Sequence, residues 1–171
     1  MNATNQGAAP DYDVPPEEWQ EKVAGANISQ QTLLATDYLN HFNEIVMMMD
    51  LMADMPELLD ECLQWQPKTY QEHFRDSTFS DKELAIEAYA HVPERYLRPF
   101  EETIAQMDSI VRQSLERVAE AVRLGDTELI RARAHAGSRA LQRLIDVASS
   151  IIHGADAAMD QSQIDEIFYH L

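Results

Sequence analysis

The sequence contains little cysteine, little glycine and little positive charge. It has one cysteine, five glycines, and 13 Lys and Arg residues against 30 Asp and Glu residues, so its formal net charge is −17. Cys62 alone can form neither an internal disulfide nor a paired-cysteine metal site. The negative charge would repel a phosphate backbone, so nucleic acid is not an expected partner. The scarcity of glycine favours helices over strands.

Long apolar runs are also absent from the sequence. The longest, residues 45–49 followed by 51–53, is interrupted by Asp50 and is far shorter than the ~20 residues that a membrane span needs. Residues 1–6 carry neither the basic region nor the apolar run of a secretion signal. We therefore expect no membrane segment and a cytoplasmic location.

Three regions of the chain differ in composition. Residues 1–26 contain several prolines and an excess of acidic residues, and we expect them to form a loosely ordered arm. Residues 27–154 should form a helical bundle, and residues 155–171 a connector and a terminal helical segment. The predicted fold is all-α, a bundle built on an antiparallel helical hairpin with short extra helices.

The hairpin is predicted from apolar residues that recur every three or four positions in two long segments. Pro93 should start the first long helix, with a kink or new start at Pro99, and Gly125 should end it. Asp126 should cap the second helix, which ends near Gly154. Small residues on its inner side should allow close packing: Ala134, Gly137 and Ala140.

Shorter helices are expected before the hairpin. Ser29 should cap a first helix that runs from Gln30 to about Ala53. Ser80 and Glu83 have the spacing of a capping box and should open another helix. Two more short helices are expected at residues 57–65 and 70–74.

The predicted first helix carries polar residues on a segment that is otherwise apolar on nearly every side. Asp37, Asn40, His41 and Glu44 are three and four residues apart, which predicts one polar strip. Such groups either pair within a structural network or serve a cleft.

Residues 36–42, TDYLNHF, resemble the phosphoacceptor-helix motif of one group of histidine kinases and sporulation-type phosphotransferases. In that motif a histidine is followed by Asp, an aromatic residue, any residue and Asn. Thr36 replaces the histidine, so the resemblance implies loss of phosphotransfer. It also implies that Asn40 orients a water that attacks a regulator's aspartyl phosphate, with Asp37 assisting. Asn40 with Glu44 is an alternative pair, similar to the amide and acid of CheZ-type chemotaxis phosphatases.

The terminal segment 160–168, DQSQIDEIF, resembles the peptides by which CheZ-type phosphatases and the flagellar switch protein FliM bind a chemotaxis response regulator. Asp160 stands where serine is usual. The spacing predicts a short amphipathic helix that docks either on a partner or on its own bundle. The resemblance implies that these residues bind the partner: Gln161, Gln163, Ile164, Asp165, Ile167 and Phe168.

Metal binding is an alternative role for the polar strip. Asp37, His41 and Glu44 could supply ligands as in a di-iron-like bundle, and His91 with Glu94 repeats a His-x-x-Glu spacing. Capping or surface roles explain His91 more simply.

Other candidate features have ordinary structural explanations. His135, beside small residues, faintly resembles the histidine of a phosphotransfer domain, but an exposed surface histidine is the simpler interpretation. The methionines at positions 47, 48, 49, 52 and 55 fit a core or a self-association surface.

Together these patterns predict a signalling protein that binds a receiver-domain response regulator and accelerates loss of its aspartyl phosphate. It would need no cofactor of its own, because the receiver domain supplies Mg²⁺. The apolar first helix offers a surface for a homodimer. The alternatives are a non-catalytic helical interaction protein and a metal-binding bundle.

Overall fold

The chain folds into an all-α structure, which confirms the predicted fold class. The computed structural model describes residues 14–155 and 159–171, and within these ranges it contains eight α-helices and no strand. None of the described helices combines the length and the apolar character that crossing a membrane requires. The helices are α1 Glu17–Val23, α2 Asn40–Met52, α3 Leu59–Cys62, α4 Tyr70–Asp76, α5 Lys82–Tyr89, α6 Glu94–Leu124, α7 Thr127–Ile152 and α8 Gln161–Tyr169.

Helices α6 and α7 form the predicted antiparallel hairpin. Gly125 ends α6 in the left-handed conformation with φ 66°, which glycine adopts without steric strain. The Asp126 side chain then accepts a hydrogen bond from the Leu129 backbone N–H at 3.0 Å and caps α7. The predicted hairpin boundaries and caps are therefore confirmed.

The predicted apolar stripes of the hairpin form the centre of the core, against α2. Gly137 is the point of closest approach: a Cβ there would lie 2.6 Å from Ser114 Oγ on α6 and 3.4 Å from Met49 Sδ on α2. The small residues predicted on the inner side of α7 are buried. Three helices therefore meet where only a glycine fits.

The predicted first helix begins later than expected. Residues 29–35 form a loop, and a 3-10 turn at Thr36–Leu39 then leads into α2. Leu33 has a positive φ of 65°, which ends any helix there, and Leu33 and Leu34 are fully buried. The Thr32 hydroxyl donates a 2.6 Å hydrogen bond to the Ile152 carbonyl. The loop thus supplies a hydrogen-bond donor to a carbonyl at the end of α7. This tertiary contact outweighs the spacing of apolar residues that predicted a helix here.

The short helices also differ from the prediction in their details. Instead of one helix over residues 57–65, a 3-10 turn at Pro56–Leu58 runs into the single turn of α3. The predicted capping box at Ser80 is wrong, because Asp81 precedes α5 and makes no side-chain cap. A complete capping box occurs instead at Thr69 and Glu72, at the start of α4.

Two further expectations need revision. Helix α6 continues through Pro99 without a new start, and the Thr103 hydroxyl donates to the Pro99 carbonyl at 2.7 Å. The part of the expected arm that the structure describes is not loosely ordered, because residues 17–23 form α1. Val23 is fully buried, and the Trp19 ring stacks on His91 with centroids 4.2 Å apart.

Candidate functional site

The predicted catalytic residues lie where the 3-10 turn joins α2. Asp37 is half-buried, whereas Asn40 and Glu44 are exposed. Asn40 Nδ2 donates to Asp37 Oδ1 at 3.1 Å, so the structure brings the predicted amide and acid together. Glu44 lies one turn further along α2 and forms no hydrogen bond with Asp37 or Asn40.

His73 of α4 is a member of this site that the sequence pattern did not reveal. Its Nε2 lies 2.9 Å from Asp37 Oδ2, and its side chain is 12% exposed. Both carboxylate oxygens of Asp37 are therefore engaged, one by Asn40 and one by His73. This arrangement restricts the position of the Asn40 amide.

His41 does not belong to the exposed polar strip. It is 7% exposed, and its ring stacks on Trp65 with centroids 4.5 Å apart, while its Nε2 has no hydrogen-bond partner among the residues that the structure describes. Burial lowers the pKa of His41 to about 4, although a hydrogen bond with the Gln66 backbone opposes this shift. The expectation of one strip of four residues is wrong, because His41 turns into the core.

The alternative metal site is not assembled either. Glu44 faces solvent while His41 is buried against Trp65, so Asp37, His41 and Glu44 do not converge. In residues 14–155 and 159–171, no three side chains of His, Cys, Asp or Glu group as metal ligands would.

An open cleft of about 340 Å³ lies beside Asp37 and Asn40. Its lining includes Asp146 and Ser149 of α7, and none of its described lining residues is basic. Two carboxylates without a cation do not bind a phosphate group. A phosphoryl group could therefore be held here only with a cation that a partner brings.

The predicted partner-binding residues form α8, which is capped by Asp160 with Gln163. Ile164 and Ile167 are buried, Ile167 as part of the bundle's core, and Phe168 is partly buried against that core. Arg117 of α6 also donates to the Leu171 carbonyl. The polar members of the set face solvent: Gln161, Gln163 and Asp165.

The structure places Cys62 and the other histidines in ordinary surroundings. Cys62 is a buried free thiol whose pKa is raised by burial. His135 is partly exposed, and its Nδ1 lies 3.9 Å from Asp50 Oδ1. His91 stacks on Trp19 and has no geometry of a metal ligand with Glu94.

The methionines of α2 and the turn after it divide between the core and the surface. Met49 and Met52 are buried, whereas Met47 and Met55 are exposed together with Leu51. These three exposed side chains are four residues apart, so they form one apolar stripe on the outer side of this segment.

Asp108 of α6 is a candidate that sequence reasoning missed. The residue is half-buried, its Oδ1 is covered and has no hydrogen-bond partner among the described residues, and this partial burial raises the pKa of the carboxyl group to about 6. The residue lines two adjoining clefts between α6 and the segment that connects α3 to α4. Its signal in the sequence is weak, because a single acid beside an apolar stripe is also typical of a solvated helix edge.

In comparisons with known proteins, no family model, no curated protein and no solved structure matches the chain.

Proposed function

We propose that this chain is a cytoplasmic signalling protein that binds a receiver-domain response regulator and accelerates hydrolysis of its aspartyl phosphate. The observation that carries the proposal is the exposed Asn40 amide, which Asp37 holds beside an open cleft. The resemblances at residues 36–42 and 160–168 indicate the same kind of partner.

The proposal requires only one contribution to catalysis from this chain. A water molecule attacks the phosphorus, the bond from phosphorus to the aspartyl oxygen breaks, and inorganic phosphate and a free aspartate result. The receiver domain supplies Mg²⁺ and most of the charge stabilisation, so an inserted amide needs only to hold the water in line. Asn40 is exposed enough to enter a partner's site, and its pairing with Asp37 restricts its rotamers.

The charge of the cleft fits a helper that acts only together with its partner. Asp37 and Asp146 line the cleft without a basic residue among its described lining, so free phosphate has no binding site there. The proposed activity therefore depends on the Mg²⁺ of the receiver. Asp37 acts through Asn40, because both of its oxygens are already engaged.

Helix α8 is the proposed second contact with the regulator. Its polar residues are exposed, but Ile164 is buried and Ile167 is part of the bundle's core. Capture of a regulator through the apolar side of α8 therefore requires α8 to leave the bundle first.

A second candidate function is a non-catalytic helical interaction protein. The exposed stripe of Met47, Leu51 and Met55 favours it, because such a stripe is typical of helix-to-helix contacts. The same stripe is the surface through which α2 would form a homodimer.

The test is the dephosphorylation rate of a Mg²⁺-loaded, phosphorylated chemotaxis-type receiver domain, with and without catalytic amounts of this protein. We expect acceleration, and loss of about 10²-fold of it in Asn40→Ala, because a misplaced water costs a rate factor of this size. The control is Gln64→Ala, which removes an exposed amide elsewhere.

The outcomes separate the candidates. Full activity in Asn40→Ala would exclude the proposed site. Binding of the receiver domain without acceleration would support the second candidate, a non-catalytic interaction protein. Absence of both binding and acceleration would overturn the proposal.

A further inference from the structure

A small cleft lies between α7 and the C-terminal end of α8. Its volume is about 280 Å³, close to the lower end of the range for small-molecule sites. Ala140 and Ile167 line it and belong to the core of the bundle, so part of its wall is fixed by packing. The other described lining residues are Ala136, Arg139, Arg143 and His170.

The lining of this cleft is basic, although the chain is strongly acidic. It includes two arginines and a histidine and, among the described residues, no acidic side chain. The formal net charge of the whole chain is −17, and the clefts beside Asp37 and Asp108 are all lined by carboxylates. An anion is therefore favoured in the cleft between α7 and α8 and disfavoured in those beside Asp37 and Asp108.

Arg139 and Arg143 have no acidic partner within the part of the chain that the structure describes. Both are exposed, and neither forms an ion pair or a side-chain hydrogen bond there. The two arginines nearer the start of α7 are paired with acids: Arg131 with Asp54 at 3.1 Å and Arg133 with Glu120 at 2.9 Å. The guanidinium groups at the cleft are thus available to an anion from outside the chain.

The acids closest in sequence to the cleft do not neutralise it. Glu166 lies one turn before His170 on α8, and Asp146 lies three residues after Arg143 on α7. Neither lines the cleft, and Asp146 lines the separate cleft beside Asn40 instead.

The spacing of the lining residues on α7 suits a group with several oxygens. Arg139 and Arg143 are four residues apart, as are Ala136 and Ala140, so the four form one strip of the helix. The alanines leave room for an anion between the arginines. Each guanidinium presents a planar fork of N–H donors that matches two oxygens of a phosphate group. A phosphate monoester carries close to two negative charges at neutral pH and can engage both forks.

We infer that this cleft binds the phosphate group of a small molecule, through the guanidinium groups of Arg139 and Arg143 on α7 and the ring of His170 on α8. The occupant contacts both helices, so it holds the end of α8 on the bundle. This site is separate from the Asp37 and Asn40 site and does not depend on the proposed phosphatase function.

Amide NMR titrations at constant ionic strength test this inference, with sodium phosphate, glycerol phosphate and sodium acetate as the probes. We expect both phosphates to give saturable shifts at residues 136–143 and 167–171. They should bind about tenfold more tightly than acetate, whose single charge engages only one fork. Tighter binding of glycerol phosphate would support a phosphate ester as the occupant, and equal or weaker binding would support the free anion. Shifts that do not saturate, or equal affinity for acetate, would overturn the inference.

Two variants locate the site. Arg139→Gln and Arg143→Gln each remove one fork and should weaken phosphate binding about tenfold. Arg75→Gln, at an exposed position on α4 outside the cleft, is the control for net charge and should retain binding. Retained binding in either cleft variant would contradict the inference.

Hydrogen exchange tests whether the anion contacts both helices. Phosphate should slow amide exchange in α8 of the wild type and of Arg75→Gln, but not of Arg139→Gln. Exchange in α8 that phosphate leaves unchanged in the wild type would refute the bridging contact with His170.

Discussion

Replacing Asp108 with asparagine should make the protein more stable at neutral pH. The pKa of this carboxyl group is raised by burial from 3.8 to about 6. Its folded-state pKa is therefore above its unfolded-state value, and the folded protein binds the proton more tightly. At pH 7 the ionised carboxylate therefore lowers the free energy of unfolding, whereas asparagine keeps the side-chain shape without the charge.

The size of the effect follows from the same pKa values. A rise from 3.8 to about 6 corresponds to ~3 kcal/mol against the ionised form. Solvent still reaches part of the group, so we expect a gain in unfolding free energy of ~1–2 kcal/mol for Asp108→Asn at pH 7.5. The gain should shrink as the pH falls through 6 and vanish only below the unfolded-state pKa of 3.8, where the wild-type carboxyl is protonated in both states.

Because the pKa of His41 is also shifted in this pH range, the variant and the wild type must be compared at every pH. Its pKa is lowered by burial to about 4, so acidification below its ordinary value of 6.5 destabilises the folded protein. Asp108 and His41 thus have opposite effects over the same range of pH, and the wild-type curve alone would conceal both. The difference between Asp108→Asn and wild type removes the contribution of His41.

Urea unfolding followed by circular dichroism at several pH values between 4 and 7.5 measures this difference. Glu87→Gln, which removes an exposed carboxylate, should show little change at any pH. A stability difference for Asp108→Asn that is absent at pH 7.5, or that does not change with pH, would refute the raised pKa of this half-buried carboxyl group.

Two further predictions concern packing. Gly137→Ala should lower the unfolding free energy by ~1–3 kcal/mol in urea unfolding, because its Cβ would lie 2.6 Å from Ser114 Oγ; unchanged stability would show that α6 and α7 separate easily. Ile167→Ala should cost ~1–3 kcal/mol and speed amide hydrogen exchange in α8, because Ile167 is 3% exposed on the bundle. Unchanged exchange in α8 would mean that other contacts hold this helix.

The hairpin could be predicted from the sequence because its signals are local. A left-handed glycine at position 125, a capping aspartate at 126 and two regular apolar stripes specify α6 and α7 without reference to the rest of the chain. The region of residues 29–39 could not be predicted in this way. Its backbone depends on Leu33 and on the bond from Thr32 to the end of α7, which are contacts between distant segments.

The same distinction applies to the candidate sites. The pairing of Asp37 with Asn40 follows from their spacing of three residues on one chain segment. His73 is 36 residues from Asp37, and the clefts at Asp108 exist only because the segment around Pro67 crosses α6. Helical periodicity contains no information about such crossings.

The hydrogen bond from Thr32 to Ile152 has a consequence for synthesis of the chain on the ribosome. The two residues are 120 positions apart, and at ~5–20 residues per second they emerge roughly 6–24 s apart. During that interval α2, with its buried Phe42, Ile45 and Met49, has no hairpin to pack against. The nascent N-terminal half therefore exposes the apolar side of α2 until α7 is complete, so this part of the chain reaches its native packing only late in synthesis.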